Sequence, residues 1–573
     1  MSPITKPLLQ LDLFKHSTDS LSQNERITSA YHRAREVGRT YGLTTTDVQT
    51  LSPKFWALHT DPINPYDMAA FTLLTIQYNL AAGTLARFLP GRPDLEGVMR
   101  DILDFNVSAQ FLLTEVGHGL DARNLETTAT LKSDGGFELH TPHIGAAKYM
   151  PPTSLQPGFP RVAIVIARLI VDAQDKGLRP FLVWLNDGYT MNKGVSVKLL
   201  PRRTGSKPLD HCITTFNHVQ LPSTALLGSI EDTRVDFHQT IQRVHVGTLA
   251  LTTTLIPILR RAAYIAAKYS LRRRVGGSYN GSLPQKGKPI LSFRTQQRPI
   301  LFALAQVAVW EAYADWCIKL FTDKSIEYPI RHGIATAFKA VLTQGTQASL
   351  FALSERCGAQ GLFEYNHIIE NQLEARGISI AEGDVLALCI RLATELLLNR
   401  YTLPQPTDPS SLLAQYEAGL ASKICNSTLA TINSNHRDAE YNNLILPHAQ
   451  HLIKSIGHRM AYEAARAGGV DEDLLALYEA GVLFQVPGWY VSTMGLDFRG
   501  VFGDESVAMD RVLGRLGEVV GRLEQEVGAY CTAPILGDEQ WEGFVGGLQE
   551  VGADGSTRNM EGYGSVYGIR SML

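Results

Sequence analysis

From Asn24 to about Phe111 apolar residues recur every three or four positions, as in Tyr66-Asp67-Met68-Ala69-Ala70-Phe71-Thr72-Leu73-Leu74, with Pro62, Pro65 and Pro90 as interruptions. That period predicts amphipathic helices. Beyond it the texture changes to short β-branched runs such as Val162-Ala163-Ile164-Val165-Ile166 and Pro180-Phe181-Leu182-Val183-Trp184-Leu185, separated by Gly, Pro, Asn and Asp. These predict strands of a sandwich or barrel. Helical spacing returns from Val235 to Tyr401, with long segments at 249–273, 297–321 and 385–400, the first expected to bend or break at Pro257. The polar run Pro404-Gln405-Pro406-Thr407-Asp408-Pro409 reads as a linker to a further helical block. The order α, β, α, α defines an α+β class. Its segments are an N-terminal helical domain (1–111), a central β domain (112–230), a helical bundle (231–403), a C-terminal helical domain (410–551) and a flexible tail (552–573).

A chain of 573 residues exceeds one hydrophobic core, and with 45% hydrophobic and 19% charged residues it can bury several. Lys plus Arg (53) nearly balances Asp plus Glu (56), so a net charge of -3 supplies no long-range field for nucleic acid or an anionic membrane. The six cysteines show no CxxC spacing, which argues against a disulfide framework or zinc site and fits a reducing compartment. Residues 1–15 lack a long apolar run after a basic start, so neither a signal peptide nor a membrane span is expected. His118 and His140 have no second histidine at ligand spacing and read as structural, so no metal is expected. Hydrolase chemistry lacks its Gly-x-Ser-x-Gly elbow.

Three features carry candidate chemistry. Thr114-Glu115 followed by Gly117-His118-Gly119 presents a hydroxyl and several N–H groups, which suits a flat heterocycle with carbonyl acceptors, although such a loop alone is an ordinary turn. Arg272, Arg273 and Arg274 close a helix, where the dipole favours cations whether or not they bind an anion. Glu382, in Ala381-Glu382-Gly383-Asp384, precedes an apolar run and by itself reads as a first-turn carboxylate.

Taken in order, several motifs closely resemble those of the acyl-CoA oxidases, relatives of the acyl-CoA dehydrogenases. They are Thr114 to Gly119 with Leu125 to Ala129; Thr141-Pro142 with Lys148; Gly194-Val195 before Pro201 to Gly205; Tyr269 to Arg274; Phe293-Arg294-Thr295-Gln296-Gln297; Cys357-Gly358-Ala359-Gln360-Gly361; and Glu382-Gly383-Asp384. The resemblance runs from about residue 60 onward. It implies an oxidase/dehydrogenase-like fold with an extra C-terminal helical domain, bound FAD and a homodimer. It assigns Glu382 as the base that takes the α proton of an acyl thioester while hydride passes to flavin N5, dioxygen then giving hydrogen peroxide. It places Thr114, Gly119, Leu120, Tyr149, Pro152, Thr153, Arg273, Arg294, Gln297, Gly358 and Gly361 around the cofactor, Arg273 on the pyrophosphate and the two glycines on the adenylate half from a neighbouring subunit. Ser571-Met572-Leu573 resembles the peroxisomal Ser-Lys-Leu address, so a peroxisomal or cytoplasmic location is expected.

Three departures fall around flavin and substrate. Tyr149-Met150-Pro151-Pro152-Thr153 replaces the family's Trp-Trp-Pro-Gly-Gly, and Pro152 has no N–H where a glycine N–H contacts the flavin, so Thr153 is the candidate replacement donor. Leu120 stands for Ser or Thr, and Arg294 for Gln. The implied function is therefore FAD-dependent desaturation of an acyl thioester. The second reading is oxidation of a non-CoA or carrier-bound intermediate of specialised metabolism, and the third a flavin-free partner subunit.

Overall fold

Ser22 and Glu25 cap each other's main chain at the start of α1 (Gln23–Tyr41), and Gly42 ends it in the left-handed region, so a local sequence signature sets both boundaries. The computed structural model describes residues 3–15, 21–205, 208–231, 237–276, 279–280, 283–284, 287–425, 435–551 and 557–558. They gather into two compact units, 3–251 and 252–573.

In the first unit, α1, α2 (Met68–Thr75) and α3 (Glu96–Leu103) precede the strands β1 (Ser108–Leu112), β2 (Thr128–Leu131), β3 (Phe137–His140), β4 (Lys148–Pro152), β5 (Arg161–Val171), β6 (Gln174–Asn186), β7 (Val195–Leu199), β8 (His211–Phe216) and β9 (Val219–Leu221). One sheet runs β1-β5-β2-β3-β9 with β6 on β5, and the other runs β4-β8-β7. Alternate residues of β5 (Ala163, Val165, Ala167, Leu169) and β6 (Phe181, Val183, Leu185) fill the core, as the two-residue period requires. The helices pack on the sheets within this unit. Buried Gln77 donates to the carbonyls of Ile102 and Val107 and accepts from Ala109 N–H in β1, and Tyr31 of α1 donates to Asp210 beside β8.

The second unit follows α4 (Gln242–Thr253), most of which lies in the first. The break expected near Pro257 comes at Thr254, and Pro257 sits in the first turn of α5 (Leu255–Arg272), where its missing N–H costs little. Gln242–Arg272 is apolar and long enough to cross a membrane, but 94% of its most apolar stretch is buried inside the protein, as in a core helix. A two-part ribbon follows, β10 (Arg274–Val275) pairing with β13 (Lys288–Pro289) and β11 (Tyr279–Asn280) with β12 (Leu283–Pro284). Then come α6 (Arg294–Thr322), α7 (Tyr328–Arg356), α8 (Ile368–Ile380), α9 (Val385–Leu397), α10 (Leu412–Ile424) and α11 (Leu446–Ala467).

Residues 410–551 pack on the bundle within the second unit. Helix α11 packs along α6, α7 and α9, so close that a side chain at Gly457 would meet the Ala337 carbonyl at 2.8 Å. The linker 404–409 is tied down: Arg459 donates to the Pro404 carbonyl and Thr407 N–H to Glu463. Thr557–Arg558 pairs with Glu550–Val551, so the segment read as a flexible tail begins with a short ladder. Ser571-Met572-Leu573 lies outside the described residues.

Candidate active site

The first unit holds the loop 114–120 and strand β4. Glu115 is buried, accepts the N–H groups of Glu126 and Thr127 and pairs with Lys148 at 2.9 Å, while Lys148 also donates to the Leu113 and Ile166 carbonyls. Burial pushes the Lys148 ammonium down to about 8 against the pull of Glu115. Burial raises the Glu115 carboxyl, but Lys148 and the two N–H groups outweigh it and hold the group below its usual range. The pair fastens the loop to β4. Above it Thr114, Gly119 and Leu120 are exposed, and among the described residues the Gly119 and Leu120 N–H groups have no intrachain acceptor. This donor set fits a heterocycle carbonyl edge. Leu120, at φ +62 and 80% exposed, turns its side chain to solvent and offers only its main chain.

Strand β4 is irregular where the sequence departs from the family. Met150 lies at φ +80, the register against β8 shifts between Tyr149 and Pro152, and Tyr149 and Met150 are exposed. Thr153, the candidate replacement donor, is turned inward. Its hydroxyl is fully buried 2.8 Å from that of Thr214, and its main chain and hydroxyl face the Cys212 sulfur. Arg161 holds this inward course, donating to the Pro152 carbonyl and, at 3.0 Å, to Asp210, which accepts from Ser154 N–H and hydroxyl. Neither expected structural histidine is isolated: His118 lies within 4.0 Å of Glu115, Asp121 and Glu126, and His140 stacks on His218.

In the second unit the other residues fall into two groups at different levels of α7. One surrounds its C-terminal end. Gln296 donates to the Ser270 hydroxyl and to the Arg356 carbonyl, and Arg356 donates to the Thr295 carbonyl, which brings the end of α5, the start of α6 and the turn 358–362 together. Arg272 is taken by Asp538 and Arg274 donates to the Gly287 carbonyl. Among the described residues only Arg273 of the three arginines has no partner for its guanidinium, and it is exposed. Arg294 instead binds Asp510 (2.6 Å), Ser506 and the side-chain oxygen of Gln297, whose amide donates to the Leu291 carbonyl. Both Arg294 and Gln297 are therefore committed to internal contacts.

Gly358 lies at φ +59 facing open space, whereas a methyl at Gly361 would meet the Ser354 carbonyl oxygen at 1.9 Å. Gly361→Ala is therefore expected to cost about 1–3 kcal/mol and lower Tm, measured by thermal unfolding. An unchanged Tm would show that this turn gives way freely.

The other group is the turn 381–384. Glu382 does not stand in the first turn of α9: Asp384 is the N-cap, accepting the Leu386 and Ala387 N–H groups at 3.0 Å. Glu382 precedes the cap, half-buried, at φ +52, which costs a non-glycine residue about 1 kcal/mol. Gly383 follows at φ +98. Beneath the turn lies Lys339 of α7, fully buried, donating to the carbonyls of Ala381 (2.6 Å) and Gly383 (2.7 Å), with that of Glu382 at 3.5 Å. Burial pushes its ammonium down to about 8, against the attraction of Glu382 and Asp384. Sequence reasoning missed Lys339, although a lone lysine inside Gly333-Ile334-Ala335-Thr336-Ala337-Phe338-Lys339-Ala340-Val341-Leu342 is its own signal. Seventeen residues of helix separate Lys339 from Arg356, about 25 Å along α7.

Comparison with known proteins follows the same lines. Residues 245–397 match the family model described as acyl-CoA oxidase, C-alpha1 domain. Over 311 residues the chain is 26% identical to peroxisomal acyl-coenzyme A oxidase 1 of Arabidopsis thaliana, covering 50% of this chain and 46% of that protein. It is 29% identical to acyl-coenzyme A oxidase acox-1.3 of Caenorhabditis elegans over 307 residues, 50% of this chain and 45% of the other. The matched stretch thus spans about half the length of these curated relatives. In fold the chain resembles acyl-CoA oxidase 1 of Yarrowia lipolytica, with TM-score 0.77 and 19% identity over 95% of this chain and 89% of the other. It also resembles acyl-CoA oxidase-2 of Caenorhabditis elegans, solved with FAD, ascaroside-CoA and ATP, with TM-score 0.69 and 18% identity over 94% of each.

Proposed function

We propose, from the premise that this chain is a member of the acyl-CoA oxidase family, that it is an FAD-dependent oxidase which desaturates an acyl thioester between its α and β carbons. The observation that carries the reading is the turn 381–384, where a carboxylate is presented ahead of a capped helix over a buried cation. Glu382 takes the α proton, and its N–H is the donor assigned to the thioester carbonyl, which acidifies that proton. Bound FAD would supply the acceptor for the β-carbon hydride and the two-electron route to dioxygen that yields hydrogen peroxide. Thr114, Gly119 and Leu120 supply donors to the ring, Arg273 the cation for the pyrophosphate, and Gly358 the open main chain for the adenylate.

The separation of about 25 Å along α7 between the base and Gly358 supports a homodimer in which one subunit's base works with a cofactor whose far half rests on the partner. Exposed Phe351, Leu362 and Phe363 beside Gly358 are apolar surface suited to a second copy. The relatives' names support a peroxisomal location. The inward course of Pro152 and Thr153 favours a second reading, in which the substrate is a non-CoA or carrier-bound intermediate of specialised metabolism.

A visible absorption spectrum of the purified protein tests the reading. It is expected to show oxidised flavin that bleaches without oxygen on adding butanoyl-, octanoyl- or palmitoyl-CoA. Bleaching only by non-CoA thioesters would select the second reading. A colourless protein that fails to take up FAD would overturn both and leave a flavin-free partner subunit.

A further inference from the structure

Lys339 is the buried charge that the reaction as outlined does not use. An ammonium has three protons to donate, and here the three oxygens it faces belong to three consecutive residues, Ala381, Glu382 and Gly383. No carboxylate lies in ion-pair range of it among the described residues. Burying an ammonium opposes folding, and here three carbonyl acceptors and the attraction of Glu382 and Asp384 offset that cost. What its contacts fix is main-chain shape. The shape it fixes is unfavourable by itself, since Glu382 and Gly383 lie in succession at φ +52 and +98 just after α8 ends at Ile380.

We propose that Lys339 is the positioning residue for Glu382, its ammonium clasping the left-handed turn so that the carboxylate and the Glu382 N–H face the reacting carbon and its carbonyl together. The cation also attracts the Glu382 carboxylate. Its role rests on the reading of Glu382 as the base, and the experiment separates the two.

Full-length Lys339→Met, Lys339→Arg, Glu382→Gln and Lys339→Met/Glu382→Gln variants are compared as flavoproteins. The measurements are anaerobic flavin reduction at saturating thioester, using whichever of butanoyl-, octanoyl- and palmitoyl-CoA reduces the parent fastest, and the Kd of the same thioester. Lys339→Met is expected to keep its flavin, change Kd less than about threefold and reduce about 100-fold more slowly, as misplacement of a reacting group does. Lys339→Arg, which still donates, is expected to recover part of the rate. The double variant is expected to be slower than Glu382→Gln alone by much less than 100-fold, because Lys339 acts through that residue, of which glutamine keeps only the N–H.

Normal reduction by Lys339→Met, with Glu382→Gln inactive, overturns the positioning role and leaves the base intact. Normal reduction by Glu382→Gln overturns the base and this role with it. A second measurement needs no turnover: amide hydrogen exchange of 381–388, compared between the parent and either Lys339 variant, is expected to rise about tenfold or more in Lys339→Met. Should Lys339→Met fail to fold, the lysine is structural and the role falls. Exchange as slow as the parent's overturns it as well.

Discussion

Glu382→Gln is expected to leave the yellow cofactor bound and slow its reduction by an acyl thioester about 10²- to 10⁴-fold, the range a positioned general base supplies. Glutamine keeps the shape of the side chain and its place in the left-handed turn but cannot take a proton. The helix behind it is unaffected, because the N-cap belongs to Asp384. Asp384 is held in the cap, its Oδ1 accepting the N–H groups of Leu386 and Ala387. Anaerobic rapid mixing measures the step directly and separates it from reoxidation. Asp384→Asn is the matching control: asparagine also caps helices, so that variant should reduce at close to the parent rate with a modest change in stability. A Glu382→Gln protein that bleached as fast as the parent would remove the base from the proposed reaction.

How far the sequence could be read depended on whether the deciding interaction was local. The break before α5 was legible because Pro257 announces it, and the short β-branched runs 162–166 and 180–185 announced β5 and β6. Helix α8 was not legible, because Ile368-Ile369-Glu370-Asn371-Gln372-Leu373-Glu374-Ala375-Arg376-Gly377 mixes polar residues and a glycine into the apolar rows. The merger of bundle and C-terminal block into one unit depends on α11, whose partners α6 and α7 lie about 100 or more residues away. For the candidate site, motifs singled out Glu382 and Gly358, but Asp384 as the cap, Asp510 as the partner of Arg294 and Thr214 as that of Thr153 are contacts between distant segments or particular register choices. A hydrophobic period does not encode them. Lys339 is the instructive case. Its burial was an anomaly visible in the sequence, but the turn it serves lies 42–44 residues further on.

Acid is expected to weaken both units well above the usual carboxylate range, because three histidines are held neutral. His59, between the Phe55 carbonyl at 2.9 Å and the Thr75 hydroxyl, is pushed down to about 4, first by burial. His211, whose Nδ1 lies 2.6 Å from the Met150 carbonyl oxygen, is pushed down to about 4 by burial and by Arg203. His458 falls to about 3 through burial and Lys454. The Trp310 N–H points to the Tyr478 oxygen, so the Tyr478 hydroxyl proton is directed to His458 Nδ1 at 2.9 Å, and a proton added to that nitrogen would break the bond. The sign follows from linkage. Each folded value lies below the unfolded one near 6.5, so the unfolded chain binds more protons between them. The stabilisation is complete above about 6.5 and is lost as pH falls toward 4. At about 1.4 kcal/mol per unit, each site withdraws on the order of 3 kcal/mol, two of them from the first unit and one from the second. Asp61, raised by burial, works in the opposite direction and offsets part of the loss in the first unit. Urea unfolding at pH 7, 5.5 and 4.5 should therefore show falling midpoints. His458→Gln, which keeps an acceptor for Tyr478 but cannot ionise, should flatten the dependence of the second unit while leaving that of the first. Midpoints as high at pH 4.5 as at pH 7, or an unchanged slope in the variant, would mean that these imidazoles reach water and are not held neutral by burial.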